Sequence, residues 1–287
     1  MSMWSVDDIP SQQGKTAVVL ACRDEASARD AAERIAREVP GAVTDVVRLD
    51  LASLASVRKA ADRIRSGYGR LDLLVNNAGL MMPPLGRTED GFELQFGTNH
   101  LGHFALTGLL FDQLLRTPGS RVVTISSFGH RQGRIGLDDL NFERRPYRPM
   151  AAYGQSKLAN IMFTYELQRR LAEAGAQTIA VTLHPGAVHT SLQRHATGPT
   201  RAVGNILMRA LGQPDAAAGA LSTLRAATDP AARGGEYYGP DGFLGWSGQH
   251  PKVVRSSRRS HDTAIRRRLW TESERLTGVT YDFTPSK

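Results

Sequence analysis

The sequence contains one cysteine, Cys22, so it can close no internal disulfide, and that residue alone furnishes no zinc site. Cys22 reads as a small packing residue in a reducing compartment. Lysine is nearly as scarce: Lys15, Lys59, Lys157, Lys252 and Lys287 are the only five, although Lys+Arg total 36 against 28 Asp+Glu, a net charge of +8. A positive balance carried by arginine and spread along an alanine-rich chain is a nonspecific signal, and no nucleic-acid partner is expected. The densest cluster, Arg255, Arg258, Arg259, Arg266, Arg267 and Arg268, reads as the solvated face of a helix. No apolar run approaches the roughly 20 residues of a membrane span, and an opening that carries Asp7 and Asp8 is no secretory signal. The expectation is a soluble, cytoplasmic protein with no membrane span. Repeats and Ser/Gly linkers are also missing, so residues 1–287 read as one domain. At 41% hydrophobic and 22% charged residues, the composition excludes disordered and fibrous classes.

What is present is an alternation of short β-branched runs with helical patterns, the signature of a parallel sheet wrapped by helices. Strands are predicted at 16–21, 45–49, 71–75, 121–125 and 178–183. Helices are predicted at 25–38, after an N-cap at Ser53 with Val57, Ala61 and Ile64 on one face, and at 152–171. A further long helix, capped by Thr88, would carry Phe92, Phe96, Leu101, Phe104 and Leu109 and end before Pro118.

In such sheets ligands bind beyond the carboxyl ends of the strands, and small or polar residues follow strand after strand here. Asp50 follows the second predicted strand, Asn76-Asn77-Ala78-Gly79 the third, Ser126-Ser127 the fourth and His184-Pro185-Gly186 the fifth. Tyr153 and Lys157 lie four apart on one helical face, where an ammonium can lower a tyrosine pKa from about 10 toward neutrality. Such a tyrosine exchanges protons at physiological pH. Taken singly, each piece also has a plain structural reading, as turn former, helix cap or surface pair.

In order along the chain, Asn76-Asn77-Ala78-Gly79, Thr98-Asn99-His100-Leu101-Gly102-His103-Phe104, Ser126-Ser127-Phe128-Gly129-His130, Tyr153-Gly154-Gln155-Ser156-Lys157-Leu158-Ala159-Asn160 and His184-Pro185-Gly186-Ala187-Val188-His189-Thr190 resemble the short-chain dehydrogenase/reductases. The closest likeness is to their retinol-dehydrogenase-like branch, whose pattern the insert at 134–150 matches. The resemblance implies a Rossmann-like doubly wound parallel sheet. It makes Tyr153 the acid/base, Lys157 the group that lowers its pKa and meets the nicotinamide ribose, Ser127 the carbonyl-polarising residue and Asn99 the anchor of a relay water. It places Asp50 at the adenine amine, Asn76, Ala78 and Gly79 along the dinucleotide, and Pro185, Gly186 and Thr190 at the nicotinamide. Arg23 would meet a 2′-phosphate, favouring NADP(H) over NAD(H). A small hydrophobic alcohol or carbonyl is the implied substrate, with Leu192, Ile206, Leu207 and Met208 as an apolar wall. A homodimer through the helices bearing Asn99 and Tyr153 is a family expectation. His100 and His103 belong to the family's stretch and lack a third clustered ligand, so no metal is expected.

One family piece has no counterpart. No glycine lies between Gly14 and Gly41, so the glycine-rich turn that follows the first strand is absent, with its helix and the start of the next strand, roughly 20 residues in all. Parallel strands need a crossover of about a dozen residues, so the run 16–21 cannot serve as both. The expectation is a fold missing one strand-helix unit near its N-terminus. Two functions follow: an NADP-dependent alcohol/carbonyl oxidoreductase, or a noncatalytic relative with a binding or scaffold role.

Overall fold

A computed structural model describes residues 3–18, 22–186, 216–242 and 245–284. Among them six strands form one sheet in sequence order: β1 (Ala17–Val18), β2 (Leu73–Asn76), β3 (Arg121–Ile125), β4 (Ile179–Leu183), β5 (Tyr237–Gly239) and β6 (Lys252–Val253). The first five are parallel and β6 is antiparallel to β5. The central strands are apolar at successive positions because both faces are covered. Leu74, Val122 and Ala180 face one core, and Val75, Val123 and Val181 face the other. The first core lies under α2 (Leu54–Gly67), α4 (Gly102–Leu109) and α6 (Pro149–Glu173), and the second includes Ala226 of α7 (Ala216–Thr228). The architecture is α/β and Rossmann-like.

Of the predicted strand at 16–21, Ala17–Val18 forms β1, and residues 19–21 lie outside the described residues. Ala17 and Val18 pair with Leu73 and Leu74, while Cys22 forms a single parallel bridge with Arg48. The Cys22 N–H donates to the Val47 carbonyl at 3.2 Å and its carbonyl accepts from Leu49 N–H at 2.9 Å. Among the described residues the predicted strand at 45–49 is a single bridge at Arg48 rather than a ladder. Helix α1 (Glu25–Glu38) buries only Ala28, so this end of the fold is thinly packed.

The helix expected from Thr88 begins later. Thr88 Oγ1 accepts from Phe92 N–H, whereas the buried Glu93 carboxylate caps Gln95 and Phe96 N–H at 3.0 and 2.7 Å and starts α3 (Leu94–Phe96). A π turn, Gly97–Leu101, then leads into α4, which is followed by α5 (Phe111–Arg116).

The C-terminal helix α8 (Thr263–Thr277) lies across α4 and α6. Trp270 meets Phe104 of α4 edge-on and stacks on Phe163 of α6, with Tyr281 closing the cluster. The arginine cluster is only partly a solvated face: Arg266 reaches the fully buried Glu166 carboxylate at 3.1 Å, alongside Arg169 and Arg170. No helix among the described residues is long and apolar enough to cross a membrane.

Candidate active site

The strand ends β2, β3 and β4 converge on one rim with the first turns of α6. Asn76 ends β2, but its side chain is buried and turned inward, with Nδ2 donating to Thr107 Oγ1 at 3.0 Å and Thr124 Oγ1 at 3.4 Å. It ties strand to helix, and the rim here is formed by Asn77, Ala78 and Gly79 instead. A side chain at Gly79 would bring a Cβ to 3.0 Å from Asn99 Oδ1 and 3.4 Å from Lys157 Nζ, so the backbone passes directly over both. Asn99 Oδ1 accepts from Leu80 N–H at 2.9 Å, and Nδ2 donates to Leu80 O and Ser156 Oγ, each at 3.0 Å. Its side chain braces the 79–80 turn against α6. Its carbonyl pairs with His103 Nδ1 at 2.9 Å.

Pro149 opens α6 at a position where its missing N–H has no intrahelical partner to lose, and the helix carries Tyr153 and Lys157 on one face. At the end of β3, Ser126 Oγ donates to the Lys157 carbonyl at 2.8 Å, pinning strand to helix. Ser127 caps a 3₁₀ turn, Phe128–Gln132, its Oγ accepting from Gly129 N–H at 3.2 Å. Glycine on both sides lets that turn lie on α6: a Cβ at Gly154 would stand 3.0 Å from Gly133 N, and one at Gly129 would stand 3.0 Å from the Tyr153 ring. This sets Ser127 beside Tyr153, near enough to act on the phenol's pKa.

Lys157 is 3% exposed, and its Nζ lies 5.9 Å from the centre of the Tyr153 ring. Burial pushes its pKa down to about 8. Burial also holds Tyr153 above its ordinary 10.0, with the Ser127 hydrogen bond offsetting part of that rise. The lowering of the tyrosine pKa toward neutrality expected from the sequence is not found in this geometry: loss of water around the phenol outweighs the distant ammonium. Among the described residues the Ile125 carbonyl, at 3.2 Å, is the one acceptor Lys157 Nζ reaches, and Asn160 Nδ2 donates to the same oxygen. A buried ammonium with unmatched donors beside a glycine rim fits a ribose diol, so the residues present suit the nicotinamide half of a dinucleotide.

The remaining predicted residues are spread around this cluster. The Cys22–Arg48 bridge sets exposed Arg23 and half-buried Asp50 at the same carboxyl end, where Asp50 Oδ1 accepts from Ala52 N–H at 2.9 Å. Pro185 and Gly186 follow β4, Gly186 in the left-handed region at φ 80°. Thr190, Leu192, Ile206, Leu207 and Met208 lie outside the described residues. His100 Nε2 meets Ser273 Oγ at 2.9 Å, and no group of three His, Cys, Asp or Glu suited to a metal occurs among the described residues. Three apolar residues to which the sequence reading gave no role lie near Ser127 and Tyr153: Phe128, Trp246 with its ring centre 5.3 Å from that of Phe128, and Met150, whose Cε lies 3.6 Å from where a Gly129 Cβ would sit. The exposure of large apolar side chains beside polar strand ends has no signature in a linear pattern.

The family profile described as short chain dehydrogenase matches residues 11–199. The chain belongs to the short-chain dehydrogenases. It is an oxidoreductase of that family and similar to the retinol dehydrogenases. Retinol dehydrogenase 13 of Homo sapiens is 42% identical over 267 residues, spanning 91% of this chain and 77% of the relative. Polyprenol dehydrogenase of Homo sapiens is 36% identical, spanning 91% and 78%. A crystal structure of an uncharacterised protein from Mycobacterium paratuberculosis is 38% identical, with a TM-score of 0.79, covering 98% of this chain and 100% of that one.

The Lys157 geometry generates a prediction with opposite signs for stability and activity. Its folded pKa of about 8 lies below the ordinary 10.5, so below pH 8 the chain buries a full charge, and between the two values only the unfolded chain holds the proton. Stability contributed by this site therefore rises with pH across that window. Lys157→Met should raise the melting temperature at pH 7, by roughly 2 to 4 °C per kcal/mol of relieved desolvation, with a smaller gain at pH 9. An unchanged or lower melting temperature, read by calorimetry, contradicts this account.

Proposed function

We propose that this short-chain dehydrogenase interconverts an alcohol and a carbonyl on a hydrophobic substrate, using NADP(H) in preference to NAD(H). The observation that carries the reading is the cluster of half-buried Ser127 with buried Tyr153 and Lys157, the serine beside the tyrosine and the ammonium's unmatched donors behind it. In reduction, the Tyr153 hydroxyl gives its proton to the carbonyl oxygen as negative charge develops there. Ser127 Oγ accepts from Gly129 N–H, so its own proton is available to the same oxygen. The Lys157 charge favours the phenolate that remains, and oxidation runs through the same groups in reverse. A nicotinamide dinucleotide, when bound, supplies or takes up the hydride.

Lys157 would hold the nicotinamide ribose, with Ala78, Gly79, Pro185 and Gly186 along the dinucleotide, and Thr190 by resemblance alone. Asp50 would meet the adenine amine. The Arg23 guanidinium is exposed and has no protein partner among the described residues, which leaves it open to a 2′-phosphate. Phe128, Met150 and Trp246 supply an apolar wall at the reacting end, consistent with relatives named for retinol and polyprenol, alcohols on apolar chains. A second reading, a noncatalytic binding or scaffold relative, is favoured by one observation: no glycine-rich turn stands between Gly14 and Gly41 to cradle a pyrophosphate.

Retinal with NADPH is the assay suited to this reading. Tyr153→Phe should reduce turnover to a few per cent or less while leaving the circular dichroism spectrum and melting curve intact; retained activity removes Tyr153 as the proton donor. Arg23→Ala should weaken NADPH by about tenfold or more and leave NADH nearly unchanged, because a charge-assisted contact to the phosphate contributes about 1.5 to 3 kcal/mol. Equal losses for the two cofactors would mean that Arg23 faces elsewhere.

A further inference from the structure

The 3₁₀ turn that begins at Ser127 is held from outside by the C-terminal segment 255–261. Arg131 donates to the Arg255 carbonyl at 2.9 Å, and Arg259 donates back to the Arg131 and Gly133 carbonyls at 3.3 and 3.2 Å. At the centre of this clasp is His130, fully buried, its ring 5.5 Å from that of Tyr237. Ser257 N–H lies 3.0 Å from His130 Nε2, and the Ser127 carbonyl lies 2.7 Å from Nδ1. A backbone N–H can only donate and a carbonyl can only accept. The ring is therefore neutral with its proton on Nδ1, which donates to the Ser127 carbonyl. Burial, which pushes the His130 pKa down to about 4, agrees with that state.

We infer that His130 is a positioning residue for the Ser127 end of the active site: its Nδ1–H fixes the Ser127 carbonyl, and hence the peptide that aims Ser127 Oγ at Tyr153, while the Ser257 N–H holds the ring in the required tautomer. His130 touches no reacting atom in this role. The inference rests on the proposed use of Ser127 and Tyr153. It gives the C-terminal segment a part in catalysis, because three of its residues, Arg255, Ser257 and Arg259, hold the turn that carries the carbonyl-polarising serine.

Two near-isosteric substitutions separate the halves of the ring. His130→Asn keeps a donor near the Nδ1 position and loses the acceptor for Ser257. His130→Gln keeps an acceptor near Nε2 and loses the donor to Ser127. With retinal and NADPH, H130Q should lower kcat about tenfold, since the Ser127 carbonyl loses its 2.7 Å side-chain donor and keeps the His130 backbone N–H at 3.1 Å, with NADPH affinity within about twofold of the parent. H130N should keep kcat within about threefold while its melting temperature falls as far as that of H130Q or further. Equal losses of kcat in the two variants, or a greater loss in H130N, would overturn the inference and leave His130 a packing residue. Long-range proton–nitrogen NMR spectra of the unsubstituted chain provide an arm that needs no variant to fold: His130 should read as Nδ1-protonated, and an Nε2-protonated or doubly protonated ring overturns the assignment. If the unsubstituted chain turns over no substrate, the functional reading fails, and the tautomer measurement alone still decides where the proton sits.

Discussion

The burial of one ammonium group governs this structure. Lys157 is one of five lysines in the chain and is closed off from water against the last carbonyl of β3, with Ile125 O as its acceptor. Holding a cation there is unfavourable by itself, so the surroundings must fix it by force of packing. Ser126 pins the Lys157 backbone to β3, Asn160 shares the Ile125 carbonyl, and Asn99 and Ser156 brace the turn that passes over Nζ. The same dry environment holds the Tyr153 proton in place, which suits a donor, and leaves the neighbouring ammonium with donors that only a ligand would satisfy.

The other half of the dinucleotide site stands on thinner ground. In this chain β1 is two residues long, Cys22 makes a lone bridge to Arg48, and α1 buries one alanine. The reacting end, by contrast, is enclosed by β2 to β4, α4, α6 and the clasp of the C-terminal segment. The fold thus encloses the Ser127, Tyr153 and Lys157 cluster firmly and leaves the end near Cys22 and α1 thinly packed.

Much of this was legible in the sequence. The helix at 25–38 and the strand at 121–125 fall where periodicity puts them, and the strand at 179–183 is off by one residue, because continuous β-branched runs and clear helix caps leave little choice. The rim of small and polar residues after each strand brought Ser127, Tyr153, Lys157 and Asn99 together as read. What escaped the sequence depends on partners that are distant along it. The predicted strand at 45–49 shows one bridge, to Cys22, among the described residues. Glu93 displaced Thr88 as the helix start because its carboxylate is buried against α3, and Asn76 turned inward to Thr107 and Thr124. His130 stood in a recognised motif, but its use depends on Ser257, 127 residues away. Burial holds the Tyr153 pKa above its ordinary value, a direction that spacing does not supply, because spacing gives proximity to a cation but not the extent of desolvation.

The central claim is that the chemical centre is complete while the pyrophosphate cradle is missing, and the NADPH dependence of retinal reduction tests it most directly. Each charge-assisted hydrogen bond absent from the pyrophosphate is worth about 1.5 to 3 kcal/mol, so two of them weaken the cofactor by about a hundredfold or more. The expected result is turnover that saturates only at NADPH concentrations far above micromolar and proceeds readily once saturated. Half-saturation at micromolar NADPH would show that the remaining rim suffices without the turn, and no turnover at any NADPH concentration would contradict the completeness of the centre.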